Sequence, residues 1–296
     1  MRLHRPDKKV GLPNTAPRMI PHRILGPLLL ALALLAPAAR AETLRDVRYG
    51  ADRAQRLDVY LPAGARNAPA ILMVHGGAWR MGDKAMHSVR SNKADYWVAR
   101  GVVFISINYR MLPLADPLTQ ADDVARALAF AQAQAAGWGA DASKFILMGH
   151  SAGAHLVALL TADPSRARAL GAQPWLGSVA LDSAAFDVAA IMNARHLPLY
   201  DRAFGTDATF WRRASPTQAL TAQAAPLLAV CSTRRADPCP QAEAYAAKAR
   251  ALGARAEVLP QDRTHRQIND ELGLPGPYTA AVDAFIASLT ATTSRP

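Results

Sequence analysis

The chain has 296 residues, of which 51% are hydrophobic and 19% are charged. This composition is that of a globular protein with enough apolar residues for a full core, and it excludes an intrinsically disordered chain. The formal net charge is +11, from 34 basic and 23 acidic residues. Beyond residue 41 no block of Lys and Arg with interleaved aromatic residues accompanies this charge, so we expect a solvated basic surface and no nucleic-acid partner.

Residues 1–41 have the pattern of a secretory signal peptide. Six basic residues precede a short apolar run over residues 24–36, and an Ala-Arg-Ala sequence ending at residue 41 supplies the small residues of a cleavage position. The apolar run is shorter than the roughly 20 residues of a spanning helix, so a permanent membrane anchor is the less favoured alternative. Met19 is a more usual start for such a signal than the first methionine. We predict a periplasmic or secreted protein without a stable membrane anchor, whose mature chain begins near Glu42.

Removal of this leader changes the charge and the redox environment. The leader carries seven of the basic residues and one acidic residue, so the remaining chain has 27 basic and 22 acidic residues and a formal charge of +5. Cys231 and Cys239 are the two cysteines of the chain. Because an exported protein meets an oxidising environment, we predict a disulfide between them. Closing so short a loop contributes roughly 2.5 kcal/mol to stability.

Strands and helices alternate along the rest of the chain. An antiparallel edge or meander strand is predicted at residues 57–61, where apolar and polar residues alternate before a proline. A continuous apolar run predicts a buried strand at residues 70–75, and further strands are predicted at residues 102–108, 144–148, 177–182, 226–231 and 254–259. Helical patterns lie between several of these runs, at residues 93–100, 119–136 and 152–160.

This alternation predicts an α/β fold with a mostly parallel central sheet. Right-handed crossovers would place helices on both faces of that sheet. No internal repeat and no Pro/Gly/Ser-rich linker divides the chain, so residues 42–296 are predicted to form a single domain. The interval over residues 184–223 is predicted to be a small helical cap insertion.

The motif GHSAGAH at residues 149–155 places Ser151 in a G-x-S-x-G pattern. The pattern alone is weak evidence, but here an apolar strand ends directly in it and a predicted helix follows. This context is typical of a nucleophile elbow, in which the serine occupies a strained tip and its oxygen projects outward. Glycines at positions 149 and 153 let the strand and the helix approach closely. We predict that Ser151 is a catalytic nucleophile.

A serine hydroxyl is a poor nucleophile at neutral pH and needs a base, usually a histidine that an acid orients. In the chain order serine, acid, histidine, three of the eight histidines are candidates. His155 lies within the elbow helix and is interpreted as a packing residue, while His196 in the cap is a candidate for the substrate pocket. His265 follows the last predicted strand, where a loop can return it to the serine. We predict that His265 is the base.

The triad acid is expected in a loop after the strand that precedes the final one. Asp237 follows the predicted strand at residues 226–231 and meets this requirement. Asp182 and Asp187, which follow an earlier strand, are the alternatives. Asp262 is too close to the histidine along the chain, so Asp237 is the predicted acid.

The third requirement is a set of donors for the oxyanion. Attack on an ester builds negative charge on the carbonyl oxygen, and each backbone N–H aimed at that oxygen contributes about 3 kcal/mol. The sequence HGGAW at residues 75–79 ends a buried strand, and its glycines leave the backbone N–H groups unobstructed. Gly76, Gly77 and Ala152 are therefore the predicted donors, a plain glycine turn being the alternative.

Several motifs together resemble those of α/β-hydrolases of the carboxylesterase type. They are HGGAW at residues 75–79, INYR at 107–110, GHSAGAH at 149–155, FGTD at 204–207, SP at 215–216 and the late His265. The resemblance is to the bacterial feruloyl-esterase-like and kynurenine-formamidase-like group, and it covers residues 57–289. It implies the α/β-hydrolase fold, a triad of Ser151, Asp237 and His265, and the oxyanion donors named above.

One segment departs from that group. In most relatives the strand before the acid runs into an H-G-x-x-D turn, whereas residues 231–237 read CSTRRAD and carry about two extra residues. Ungapped counting would put Arg235 at the acid position. Since residues 237–242 resume a D-x-x-P-Q pattern, an insertion is favoured, with Asp237 as the acid and the cysteine pair holding the enlarged loop.

These predictions describe an exported serine esterase that cleaves carboxylic esters through an acyl-enzyme. It is expected to need no metal and no organic cofactor, and its expected partner is a small-molecule ester. An arylformamidase-like amide hydrolase is the alternative with the same machinery, although export disfavours it because tryptophan breakdown is intracellular. A non-catalytic ligand-binding protein on the same scaffold is the alternative of another class, and the complete triad counts against it.

The substrate pocket is less well specified than the triad. Four residues are candidates for its lining: Trp79, Tyr109, His196 and Trp211. Aromatic residues near a cap are also common in a core, so burial is the alternative for these side chains. The sequence carries no signal for the oligomeric state.

Overall fold

The computed structural model describes residue 11 and residues 41–292 of the chain. The predicted signal peptide therefore lies outside the described residues, apart from Gly11 and Ala41. Within the described part, eight strands form one sheet with the order β1-β2-β4-β3-β5-β6-β7-β8. The strands are β1 (Glu42–Arg48), β2 (Arg56–Leu61), β3 (Ala68–Val74), β4 (Val103–Ile107), β5 (Ala140–His150), β6 (Gly177–Leu181), β7 (Leu227–Ser232) and β8 (Ala256–Gln261).

The sheet is mostly parallel, as predicted. β1 and β2, and β2 and β4, pair antiparallel, while the pairs from β4 through β8 are parallel. The predicted strand at residues 57–61 corresponds to β2, which is a meander strand and not the edge. The edge is β1, which the sequence analysis missed because most of its residues are exposed and polar on both faces.

Helices cover both faces of the sheet and connect its parallel strands. They are α1 (His87–Val98), α2 (Pro117–Gln134), α3 (Ala152–Ala162), α4 (Ser165–Ala169), α5 (Val188–Met192), α6 (Pro198–Phe204), α7 (Ala208–Arg213), α8 (Pro216–Ala219), α9 (Pro238–Ala251), α10 (His265–Asp270) and α11 (Pro277–Thr292), with a 3-10 turn at Ala135–Trp138. The helix predicted at residues 93–100 begins six residues earlier than expected. Helices α5–α8 occupy the interval predicted to be a helical cap.

Burial on both faces explains the continuous apolar runs of the central strands. Ile71 and Met73 of β3 belong to the apolar cluster that includes residues of α1 and α11. Leu72 and Val74 belong to the opposite cluster, which includes residues of α2 and α3. A strand that is covered on both faces loses the polar alternation of a half-exposed strand.

The register of the parallel strands brings the functional loops together. Val74 at the end of β3 pairs with Gly149 of β5, and His150 of β5 pairs with Leu181 of β6. The residues that follow these strands therefore lie side by side at one edge of the sheet. β7 and β8 also end at this edge, so the loops that follow them begin there. Open α/β sheets bind their ligands at this edge.

Within residues 41–292, no helix combines the length and the apolar character that crossing a membrane requires.

Candidate active site

Ser151 lies between β5 and α3, at a sharp turn. Its backbone has φ 56° and ψ −117°, a conformation that side-chain-bearing residues rarely adopt. A Cβ added at Gly149 would overlap the carbonyl oxygen of Gly153, and one added at Gly153 would overlap the carbonyl oxygen of Val74. The two glycines are thus required by the close approach of the strand, the turn and the helix. This is the geometry that the G-x-S-x-G pattern predicts.

The glycine turn after β3 lies directly against this serine. A Cβ added at Gly76 would lie 2.9 Å from the Cβ of Ser151. Gly77 has φ 121°, which favours glycine, and Ala78 and Trp79 continue with φ of 51° and 59°. A turn held in this conformation directs several consecutive backbone groups to one side. The N–H of Ala152 heads α3 and has no acceptor within its own helix.

His265 begins α10, immediately after the loop that follows β8. Its Nδ1 lies 2.5 Å from Oδ2 of Asp182, whose side chain is fully buried. Asp182 follows β6, and its own backbone has φ 54°. The second carboxylate oxygen of Asp182 accepts the backbone N–H of Ser232 at 2.7 Å. An imidazole whose Nδ1–H is held by a buried carboxylate presents Nε2 as a base.

The structure pairs His265 with Asp182, which the sequence analysis considered only as an alternative to Asp237. Asp237 lies at the N-terminus of α9, exposed to solvent, and among the described residues no hydrogen bond joins it to His265. Arg235 stands there instead, with Nη1 3.0 Å from Nδ1 of His265. Arg235 therefore occupies the position that ungapped counting assigns to it, next to His265. Asp187, the other alternative, caps α5 by accepting the N–H of Ala190.

The loops after β6 and β7 both reach the imidazole of His265, because β6 and β7 are neighbours in the sheet. Leu181 of β6 pairs with Val230 of β7, so the residues that follow both strands reach the same point. A carboxylate from either loop can contact the imidazole of His265. Here the β6 loop supplies the carboxylate and the β7 loop supplies the guanidinium of Arg235, which donates to Oδ2 of Asp182 at 2.7 Å.

This environment keeps Asp182 ionised. Burial alone would favour the neutral carboxyl, but hydrogen bonds from His265, from the Ser232 N–H and from Arg235 outweigh it and lower the pKa of Asp182. The carboxylate can therefore stabilise a positive charge on His265. Among the described residues no hydrogen bond joins Oγ of Ser151 to His265; in substrate-free hydrolases this contact often tightens only in the complex.

His150 supports His265 in a way that the sequence analysis did not identify. The two rings lie 4.5 Å apart, and Nε2 of His150 lies 3.1 Å from the carbonyl oxygen of His265. Burial, together with His265 and Lys93 nearby, lowers the pKa of His150 to about 3. The ring is neutral at physiological pH and donates its Nε2–H to that carbonyl. The only sequence signal was its place next to the serine.

His155 links three parts of the site. Its Nδ1 accepts the Nε1–H of Trp79 at 3.2 Å, and its Nε2–H donates to the carbonyl of Ala214 at 2.7 Å. Burial lowers its pKa to about 4. The ring thus connects the glycine turn and the elbow helix to the cap, as the interpretation of a packing histidine predicts.

Two of the four candidates for the substrate pocket are core residues. Trp79 is 3% exposed and packs against His155 and Phe204, while Tyr109 is fully buried and donates its hydroxyl to the carbonyl of His75. Trp211 is half-buried and donates to the Phe204 carbonyl. Trp79 and Tyr109 are thus packed in the core, whereas Trp211 stays partly accessible.

One cavity is lined by His265, and a second is lined by Arg235, which contacts His265. One, of about 370 Å³, is lined by apolar side chains including Met81 and Met86 and also contacts Gly76, His150 and His265; we call it the methionine cavity. The other, of about 460 Å³, lies under the cap and is lined by residues that include Arg195, His196, Tyr200, Arg235, Asp237 and Gln241; we call it the arginine cavity. His196 is the single predicted pocket candidate that lines either cavity within the described part of the chain.

The predicted disulfide is present. Cys231 at the end of β7 and Cys239 in α9 are joined, with their Cα atoms 5.1 Å apart. The bond closes the loop that carries Arg235 and Asp237. Within the described residues no group of three or more His, Cys, Asp or Glu side chains is arranged to hold a metal ion.

Comparison with known proteins identifies relatives of this chain. A family model described as BD-FAE matches residues 57–195. Esterase LipC of Mycobacterium tuberculosis is 32% identical over 228 residues, which are 70% of this chain and 55% of that protein. A kynurenine formamidase of Danio rerio is 30% identical over 148 residues, or 49% of this chain and 48% of that protein. A probable isoprenylcysteine alpha-carbonyl methylesterase of Oryza sativa subsp. japonica is 30% identical over 133 residues, which are 45% of this chain and 31% of that protein.

Solved structures with the same fold are more distant in sequence. A truncated carbohydrate esterase from gut microbiota superposes with a TM-score of 0.71 at 19% identity, covering 86% of this chain and 99% of that chain. Esterase 2 of Thermogutta terrifontis in its apo form gives a TM-score of 0.66 at 22% identity, covering 86% of this chain and 95% of that chain. These proteins and the described part of this chain share one fold.

Proposed function

We propose, from the likeness of this chain to carboxylesterases of the α/β-hydrolase fold, that it is a serine esterase that hydrolyses carboxylic esters through an acyl-enzyme. The observation that carries the proposal is the pairing of His265 with buried Asp182 beside the strained elbow of Ser151. In this proposal His265 accepts the proton of Ser151 as its oxygen attacks the ester carbonyl. The imidazolium then protonates the leaving alkoxide, and a water molecule activated by His265 releases the acid.

The proposed oxyanion donors are the backbone N–H groups of Gly76, Gly77 and Ala152. Their support is the contact of Gly76 with the serine turn and the place of Ala152 at the start of α3. A helix N-terminus favours negative charge, because its first N–H groups have no acceptor within the helix.

The proposed acid is Asp182, and Asp237 serves as its matched control. Asp182→Asn should lower kcat by about three to four powers of ten, because an amide in place of the carboxylate favours the wrong tautomer of His265. Asp237→Asn, the same change in the adjacent loop, should lower kcat far less. The assay is hydrolysis of 4-nitrophenyl acetate and butyrate. The reverse order of the two variants would return the acid role to Asp237.

The nucleophile is tested separately from turnover. A fluorophosphonate probe should form an adduct on Ser151, located by peptide mass spectrometry, and Ser151→Ala should abolish both the adduct and hydrolysis. Absence of an adduct on the folded wild-type protein would favour a non-catalytic binding protein on this scaffold.

Formamide hydrolysis is the second candidate, because one relative is a kynurenine formamidase. A panel of nitrophenyl esters of increasing chain length, feruloyl esters and N-formylkynurenine separates the two activities. We expect higher kcat/KM for an ester. A formamide preference of tenfold or more would reverse the assignment.

We also propose that the protein is exported. The support is the leader pattern of residues 1–41 together with the disulfide between Cys231 and Cys239, since disulfides persist mainly in oxidising compartments.

A further inference from the structure

The arginine cavity is next to the proposed acid–base pair through one residue, Arg235. Arg235 forms part of its wall and also contacts Asp182 and His265, so the cavity and the catalytic groups share one side chain. The cavity holds about 460 Å³, which is enough for a substituent of several heavy atoms. It lies under the cap, bounded by α5, α6 and the start of α9.

Arg235 has donors that the catalytic pair does not use. Its hydrogen bonds within the described part of the chain all involve Nη1, which donates to Oδ2 and to the carbonyl oxygen of Asp182. Nε and Nη2 have no acceptor among the described residues. The planar guanidinium can therefore hold Asp182 with one edge and an anion with the other, the bidentate geometry that arginine offers to carboxylates.

A second cation faces the same cavity. Arg195 is exposed, and among the described residues it forms no ion pair or hydrogen bond. Arg235 is already paired with Asp182, so the carboxylate of Asp237 faces the guanidinium of Arg195 and the free edge of Arg235. His196 adds little net charge because Asp201 pairs with it, at 2.9 Å, and raises its pKa. The cavity also lies at the N-terminus of the 14-residue helix α9, which favours a negative charge there.

We infer that the arginine cavity is a subsite for a carboxylate carried by the ester substrate, with Arg195 and Arg235 as its ligands. The inference rests on the proposed esterase function and names the substrate class: half esters of dicarboxylic acids and other esters with a free carboxylate. Arg235 contacts Nδ1 of His265, whereas the reacting carbonyl approaches Nε2. The imidazole ring therefore separates the bound carboxylate from the reacting carbonyl. The carboxylate must therefore be several bonds away from the scissile ester.

The test uses two matched series of 4-nitrophenyl esters. One series consists of half esters of succinate, glutarate, adipate and pimelate, and the other of neutral alkanoates of equal chain length. We expect the ratio of kcat/KM for the half ester to that for its neutral counterpart to exceed one at an optimal length, and to fall as ionic strength rises.

Two variants of the cavity report on the same ratio. Arg195→Gln, which lies away from Asp182, should lower the ratio by about tenfold, as expected for the loss of a charge-assisted hydrogen bond. Arg235→Gln should lower it at least as much, whatever its effect on turnover of the neutral esters. Asp237→Asn should raise it, because a carboxylate that lines the cavity is removed.

Arg213→Gln is the matched control for net charge. Arg213 is exposed at the end of α7 and does not line the arginine cavity. The ratio should not change in this variant. An equal fall in Arg213→Gln and Arg195→Gln would mean that overall charge attracts the substrate and would overturn the subsite.

The outcomes separate this inference from the esterase proposal. If neutral esters are hydrolysed but the ratio stays at or below one at every length, or is unchanged by both cavity variants, the carboxylate subsite is wrong and the esterase remains. If neither series is hydrolysed and Ser151 forms no adduct with the fluorophosphonate probe, the proposed function itself fails.

Discussion

His150 and His155 illustrate how burial determines the chemistry of single residues near Ser151. Both rings are buried, and their pKa values are lowered to about 3 and about 4, so they are neutral donors at physiological pH. His265, by contrast, is partly exposed and is paired with a carboxylate. Three residues of one type thus perform different tasks, because two are enclosed by protein and one is accessible to substrate.

The buried state of His155 predicts a dependence of stability on pH. An unfolded histidine has a pKa near 6.5, and the folded pKa is about 4, so the unfolded chain binds the proton more tightly. The stability that neutral His155 provides is complete above about pH 6.5 and is lost as the pH falls toward 4. Between pH 7 and pH 5 this histidine should lower the free energy of unfolding by about 2 kcal/mol.

Urea unfolding at pH 7 and pH 5 measures this loss. In His155→Gln the difference between the two pH values should shrink by about 2 kcal/mol, whereas a variant of His196, whose pKa is raised, should not reduce it. An unchanged difference in His155→Gln would show that the ring is not enclosed as described. His150 contributes a loss of the same sign, so the difference should not vanish.

At the scale of elements, α10 is held in place by α1. The buried amine of Lys93 in α1 donates to the carbonyl oxygens of Ser88, at 2.8 Å, and of Asn269, at 2.5 Å. Asn92 donates to the carbonyl of Asp270 at 2.6 Å. The bonds to Asn269 and Asp270 satisfy carbonyls at the C-terminal end of α10, whose first residue is His265. The position of His265 therefore depends on a helix that lies far from it in sequence.

Loss of this anchor should affect catalysis more than substrate binding. Lys93→Met keeps an unbranched side chain of similar length but removes both bonds, so α10 loosens and kcat should fall about tenfold with little change in KM. Lys93→Gln retains a donor and should recover part of the loss. Asp95→Asn, on the exposed side of the same helix, is the control. Equal kcat in Lys93→Met and wild type would exclude a positioning role for Lys93.

Strands and helices could be predicted where burial leaves a pattern of apolar residues in the sequence. The strands β3–β7 could be recognised from their apolar residues because both of their faces are covered, whereas β8 is a partly exposed edge strand. β1 was missed because an exposed edge strand has no such run. The start of α1 was misplaced because its first turn has neither an acidic residue nor a side-chain cap, and these are the signals that mark a helix start.

At the scale of the whole molecule, β1 connects the predicted cleavage position to the sheet. Glu42, the first residue after that position, pairs with Leu61, and Arg45 forms a salt bridge with buried Asp58. Cleavage after Ala41 would therefore leave the whole of β1 in place and the edge of β2 covered.

This arrangement predicts different outcomes for two truncations. If the protein is exported and cleaved as proposed, a chain that begins at Glu42 should have the same thermal midpoint as the protein recovered after export. A chain that begins at Gly50 should unfold several degrees lower and aggregate, because it exposes the edge of β2. Circular dichroism melting and light scattering measure both effects, and mass spectrometry of the exported protein should find its N-terminus near Glu42. Equal midpoints for the two truncations would contradict the stabilising role of β1.

Ser151 and its flanking glycines could be predicted from the sequence because the elbow is a local structure. A strained serine between a strand and a helix needs small residues at fixed positions, so the sequence shows glycines two residues before and after it. His265 could be predicted by elimination, because few histidines follow the serine. The acid could not, because two adjacent strands end at the same edge of the sheet and each is followed by an aspartate.

Only the tertiary structure decides between Asp182 and Asp237, since the distance to His265 depends on how the β6 and β7 loops fold. The same holds for Trp79 and Tyr109, whose aromatic character suits a pocket and a core equally until the cap covers them. Local backbone geometry thus determined the conformation of Ser151, whereas contacts between loops distant in sequence determined which aspartate pairs with His265 and formed the cavity lined by Arg235.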